Sequence, residues 1–238
     1  MNLYKLELRK IRLSSYIWCA FGIFTGLLAL GILFLIILQV ETGNGGSQDV
    51  ELFDHWNGLL ALITALAFAC FSVLSAAVAA KAIVSEYCKD NAAVLLSYPV
   101  KRKAVLAAKC LMVCTITTVC AFVSNVSAVG IVYVIAQFMK TVPQMTGGPF
   151  ALTVCMSSIL MGILSSAAGL ASAAFGYRRR SGIAAIVCSL AIVCVTANLV
   201  TISPRRIVWV MLAMCVLFTG AANVICHLLA KKIEIMEV

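Results

Sequence analysis

The chain has 238 residues, 63% of them hydrophobic and 11% charged, with a net charge of +9. Soluble domains are about half apolar and about a quarter charged, so this balance excludes an ordinary soluble enzyme, a disordered chain and a secreted disulfide scaffold. What remains is an all-α, polytopic membrane protein, because an apolar run of about 20 residues crosses a bilayer as a helix.

The first element is Asn2–Ser14. Lys5, Arg9 and Arg12 stand at i, i+4 and i+7, one stripe of a helix. Leu3, Leu6 and Leu13 form one apolar group, and Tyr4, Leu8 and Ile11 another. The pattern predicts an amphipathic interfacial helix over 1–16, its cations turned toward anionic lipid headgroups. A plain basic leader before a first span is the alternative.

Six apolar runs follow, at 17–38, 58–80, 105–135, 150–175, 182–200 and 207–230. The first is too long for a cleavable signal, and no small-residue cleavage site follows it. The third and fourth exceed the usual spanning length, which implies tilt, a kink or projection beyond the lipid. Six spans place both termini on one side. That side collects fifteen of the 18 Lys and Arg residues, and the other holds only Lys140, Arg205 and Arg206. Basic residues gather in cytoplasmic loops, so the sequence predicts a multi-pass cell-membrane protein with both termini cytoplasmic. This topology also accounts for the net charge without nucleic-acid binding. Arg205 and Arg206 are the misfit and would snorkel to outer headgroups. The first outer loop, Gln39–Asn57, carries Glu41, Asp49, Glu51 and Asp54 and no basic residue.

The connection between runs two and three, 81–103, is the longest on the inner side. It mixes Lys81, Glu86, Lys89 and Asp90 with Ile83, Val84, Val94, Leu95 and Leu96, and Pro99 should stop a helix at or before Tyr98. A charged, partly apolar helix outside the lipid needs a surface to pack on. A soluble partner is one reading and a surface-lying linker helix the other.

No Asp, Glu, Lys or Arg falls in the middle of a run, which argues against an ion-coupled transporter, a proton pump or a voltage sensor. The milder polar residues Ser124, Asn125, Ser127, Thr196, Asn198, Asn223 and His227 are expected to make interhelical hydrogen bonds. Small residues are abundant. Gly22 and Gly26 form a GxxxG, run four carries Gly162, Ser165, Ser166, Gly169, Ser172, Ala173 and Gly176, and run two carries Ser72, Ser75, Ala76, Ala79 and Ala80. Such faces suit a compact bundle or a dimer seam. The 11 cysteines include no CxxC and no Cys/His spacing, so they read as small hydrophobes and not as metal ligands. Phosphate-loop, HExxH and GxSxG motifs are absent, and no acid–base constellation stands out. No catalytic, cofactor-binding or metal residue is assigned, and any nucleotide chemistry belongs on another chain.

Two stretches carry a resemblance. Leu3-Tyr4-Lys5-Leu6-Glu7-Leu8-Arg9-Lys10 precedes the first run. Ala82-Ile83-Val84-Ser85-Glu86-Tyr87-Cys88-Lys89-Asp90-Asn91 leads through Leu95-Leu96-Ser97-Tyr98-Pro99-Val100-Lys101-Arg102 to Ala108-Lys109. Together they resemble the permease subunits of type-2 ATP-binding-cassette transporters, and more narrowly the lantibiotic-immunity and bacitracin-export group. Family members tend to carry a glycine a few residues after the Glu, where this chain has Lys89-Asp90-Asn91. The resemblance implies a single permease domain over 1–238, with Lys5, Arg9 and Arg12 on a connecting helix. It implies that Glu86, Lys89 and Asp90 lie on a coupling helix that docks into an ATPase subunit. A second permease chain, the same or homologous, would face the first, and ATP and magnesium would be held by the ATPase. The implied task is export, or clearance from the membrane, of an amphipathic cargo such as a peptide antibiotic. A non-transporting membrane scaffold or binding protein is the rival reading, as it needs no coupling helix. An intramembrane enzyme or vitamin-uptake subunit is a further rival, and an enzyme should show paired His, Asp or Glu at membrane depth. No substrate-contacting residue is named by the sequence.

Overall fold

A computed structural model of the protein describes residues 13–43, 56–84, 102–138, 148–202 and 207–235. Within them the chain is all helical: α1 (Leu13–Gly43), α2 (Trp56–Ala79), α3 (Arg102–Phe138), α4 (Gly148–Arg178), α5 (Gly182–Ile202) and α6 (Ile207–Ile235). A single π-helical turn, Ala80–Val84, continues α2. The expected interfacial helix with Lys5, Arg9 and Arg12, and the Glu86, Lys89 and Asp90 stretch, lie outside the described residues.

Lipid leaves no water for unpaired backbone groups, so each apolar run closes its own hydrogen bonds as a helix. Helix α1 continues to Gly43, into what the sequence assigns to the outer loop. Gln39–Thr42 are therefore helical. Helix α3 is 37 residues long, about 55 Å at 1.5 Å per residue, so it tilts or projects beyond a hydrocarbon core of about 30 Å.

Among the described residues, four helices are long and apolar enough to cross a membrane, over Ser14–Ile37, Ala61–Val84, Val105–Phe138 and Ala151–Arg178. The apolar stretches described in α5 and α6, Gly182–Thr196 and Met211–Val224, are shorter. As helices, α5 and α6 run to 21 and 29 residues, beyond these stretches.

Helix α4 is the hub and packs on α2, α3, α5 and α6. Two thirds of its apolar window (67%) is buried, against 22% for α1, which places α1 at the edge. Among its described side chains, helix α1 buries Ala20, Leu27, Gly31 and Leu35, one stripe at helical spacing. Its outward face carries Ile17, Trp18, Phe21, Leu30, Leu33, Ile36 and Ile37. Helices α2, α3 and α4 meet around Phe68, Phe71, Ala121, Val129, Met161 and Leu164 in the main core. A second cluster, at one end of the bundle, joins Val78, Ile83, Val84, Leu106, Met112, Val113, Leu170, Tyr177 and Ala185.

Hydroxyls inside the bundle donate mainly to their own helix. Thr64 Oγ1 donates to the Ala61 carbonyl, Ser165 Oγ to Gly162 and Ser172 Oγ to Gly169. The expectation of interhelical bonds holds for Asn125, whose Nδ2 donates to Ser158 Oγ at 2.9 Å. It does not describe Ser127 and Thr196, which donate to carbonyls one turn back. A hydroxyl on a helix reaches the i−3 or i−4 carbonyl without any neighbour, so the local bond forms first.

Candidate functional site

The end of the bundle that frames the 81–103 connection is built from five elements. The connection leaves α2 through the π turn and enters α3, so its two roots are Ala80–Val84 and the first turns of α3. Both roots are buried: Ile83 is 5% exposed, Val84 2% and Leu106 4%. They pack against Leu170, Ala173 and Tyr177 of α4 and Ala185 of α5.

Lys109 lies within this cluster and is only 1% exposed. Its Nζ donates to the Ala82 carbonyl of the π turn at 3.3 Å, across 27 residues of sequence. A buried ammonium needs protein acceptors, and this carbonyl is one. The sequence counts Lys109 among the basic residues of one side; the structure buries it in the packing at the end that holds Lys81. Leu106, Lys109, Met112 and Val113 share one helical face, and all four are buried.

Two further contacts involve basic residues at the same end. Lys81 lies 6.0 Å from the centre of the Tyr16 ring, joining the π turn to the start of α1. Arg179 lies 5.8 Å from the Phe175 ring centre, within cation–π range. Arg178, Arg179 and Arg180 are exposed on the α4–α5 turn.

That turn is a Schellman cap. Ser181 N–H donates to the Gly176 carbonyl at 3.0 Å and Arg180 N–H to the Tyr177 carbonyl at 3.1 Å. Arg180 occupies the left-handed position, φ 51°, where glycine is usual. The hairpin is tight because Gly176 has no side chain: a Cβ there would lie 2.6 Å from Ala185 Cβ. A Cβ on Gly182 would lie 3.6 Å from Ala80 Cβ, which sets the start of α5 beside the π turn.

In the interior, small residues bring α4 close to its neighbours. A Cβ on Gly162 would lie 3.1 Å from the Thr118 carbonyl oxygen, and Thr118 Oγ1 donates to the Gly162 carbonyl at 3.3 Å. Ser72 Oγ, Ser75 Oγ and Asn125 Oδ1 are buried and find no hydrogen-bond partner among the described residues. The Gly22 and Gly26 positions of α1 have nothing within 4 Å of an added Cβ among the described residues, so that GxxxG is not a seam between the described helices. Cys110 and Cys114 stand on one face of α3, and the described cysteines form no disulfide. No three metal-ligating side chains come together among the described residues.

The arrangement is that of a polytopic helical membrane bundle whose basic end holds the roots of one long connection. A family model described as an ABC-2 family transporter protein matches residues 3–198, and the chain belongs to that family. Its members are membrane permease components that work with an ABC ATPase and generally lack a catalytic site of their own. The chain is similar to the uncharacterized protein YcbO of Bacillus subtilis (strain 168). The two are 28% identical over 196 residues, spanning 81% of this chain and 82% of the relative. No solved structure matches the chain. The match is to the family as a whole, one step coarser than the lantibiotic-immunity and bacitracin-export group that the sequence resembles.

Proposed function

We propose that the chain is one permease half of an ATP-driven exporter. Two permease chains and a separate ABC ATPase form the working unit, and the ATPase alone holds ATP and magnesium. Six crossings place both termini and the 81–103 connection in the cytoplasm. The observation that carries this reading is the buried, multiply packed root of that connection at the end where Lys81 and Arg178–Arg180 gather. A rigid root lets a push on a cytoplasmic element reach the membrane helices. Glu86, Lys89 and Asp90 are the docking residues on that element, and Lys5, Arg9 and Arg12 anchor an interfacial helix on anionic lipid. The open Gly22–Gly26 face of peripheral α1 supports a second permease chain as the neighbour. The cargo is an amphipathic, membrane-active molecule, with a lantibiotic or bacitracin-like peptide favoured by the sequence resemblance.

The test is a gentle-detergent pull-down of the tagged chain from its own host. A stoichiometric ABC ATPase is the expected companion; an intact, monodisperse chain without one sinks the reading in favour of a membrane scaffold. In the complex, the double change Glu86→Lys and Asp90→Lys should uncouple ATP hydrolysis from transport while membrane insertion persists. Unchanged coupling would remove those residues from the docking surface. A deletion strain with unaltered tolerance to every lantibiotic and bacitracin-like peptide tested would remove the cargo assignment.

A further inference from the structure

We propose that Lys109 is a positioning residue that fastens the π-helical end of α2 to the start of α3, so that both helices follow the 85–101 connection as one body. Its mechanical consequence rests on the exporter reading above; the fastening itself does not.

The argument begins with burial. A lysine at 1% exposure has lost nearly all its water, and an amine that loses water needs protein acceptors. The Ala82 carbonyl is one, at 3.3 Å. That carbonyl belongs to the π turn, where the α-helical hydrogen-bond pattern of α2 is already broken. The bond closes a loop of 27 residues at its base. The apolar shell of the same base comes from both roots, Ile83 and Val84 on one side and Leu106, Met112 and Val113 on the other. Apolar contact alone is non-directional and lets helices slide. One directional bond across the two roots fixes their register.

Topology does not account for the buried amine. The position needs no charge for topology, because Lys101, Arg102 and Lys103 precede it and Arg178–Arg180 stand exposed at the same end. A methionine or leucine would fill the space between Leu106 and Met112 without the cost of desolvating an amine.

The test compares amide hydrogen exchange of the full chain in lipid nanodiscs for wild type, Lys109→Met, Lys109→Gln and Lys109→Arg. Methionine removes the donor at similar length, whereas glutamine and arginine keep one. Lys109→Met should speed exchange in the peptide covering 80–84 about tenfold, the effect of losing one strong hydrogen bond at a local opening. Exchange across Ser157–Ala168 of α4 should stay at the wild-type rate, and the donor-retaining variants should recover protection of the turn. Unchanged exchange at 80–84 in Lys109→Met overturns the proposal. If Lys109→Met loosens α4 as well, Lys109→Gln decides. Protection at 80–84 close to wild type supports the fastening, and loss equal to that of α4 makes Lys109 a general packing residue and overturns it.

A second comparison uses the complex with its co-purified ATPase and adds magnesium with a non-hydrolysable ATP analogue. In wild type, exchange at 80–84 and at 105–113 should change together; in Lys109→Met the two should separate. Joint change in both proteins overturns the one-body claim. If no ATPase accompanies wild type, the exporter reading fails by itself, while the first comparison still decides whether Lys109 holds the turn.

Discussion

A Cβ placed on Gly169 would lie 2.5 Å from Ser75 Cβ and 2.9 Å from the Ser75 carbonyl carbon, so α4 and α2 touch there backbone to backbone. No side-chain rotation relieves such a contact. Gly169→Ala should therefore force the two helices apart and destabilise the protein by about 1–3 kcal/mol, the usual range for overpacking. Gly22→Ala and Gly26→Ala, where an added methyl meets nothing within 4 Å, are the controls in the monomer. Thermal unfolding in detergent checks the contrast. Equal melting temperatures for Gly169→Ala and Gly22→Ala would contradict the seam.

Arg180 is the residue whose backbone works against its own side chain. At φ 51° an L-residue sits in the left-handed region, at a cost of roughly 1–2 kcal/mol that glycine avoids. Arg180→Gly should raise stability by about 1 kcal/mol, and Arg180→Val should lower it, because a branched Cβ is worst tolerated there. Both follow from melting curves of the purified chain. A stabilised valine variant would mean that the turn leaves the Schellman geometry.

The Asn125–Ser158 bond links α3 to α4 at the centre of the bundle. Interhelical bonds of this kind average about 0.6 kcal/mol in membrane proteins. A double-mutant cycle with Asn125→Ala and Ser158→Ala should return a coupling of about that size, and no more than about 1.7 kcal/mol. Coupling near zero would show that each side chain is satisfied by its own helix. Ser158 already has such an alternative, since its Oγ also donates to the Val154 carbonyl at 2.6 Å.

The charge asymmetry gives a topology that reporters can read. A green fluorescent protein fused after Val238 should fluoresce, and alkaline phosphatase fused there should be inactive. Phosphatase inserted after Gly46 should be active. The reverse pattern would invert the orientation derived from fifteen basic residues against three.

The helices themselves were legible in the sequence, because in lipid an apolar run of spanning length has one way to satisfy its backbone. Each of the six runs falls on one helix, counting the π turn with α2, and Lys81, Lys109 and Arg178–Arg180 lie at one end of the bundle. The breadth of the polar menu was legible too: serines and threonines in runs two to four, with no ionisable residue in the middle of any run. Partner choice was not. Lipid tails are as apolar as leucine, so hydrophobicity does not select which helix packs on which; shape does. Only the tertiary structure made α4 the hub and α1 the edge, set Gly169 on Ser75, and left the Gly22–Gly26 face open. It alone turned Lys109 inward. Sequence counts a lysine as one more charge near a membrane surface, whereas its burial depends on which carbonyl a different helix brings within 3.3 Å.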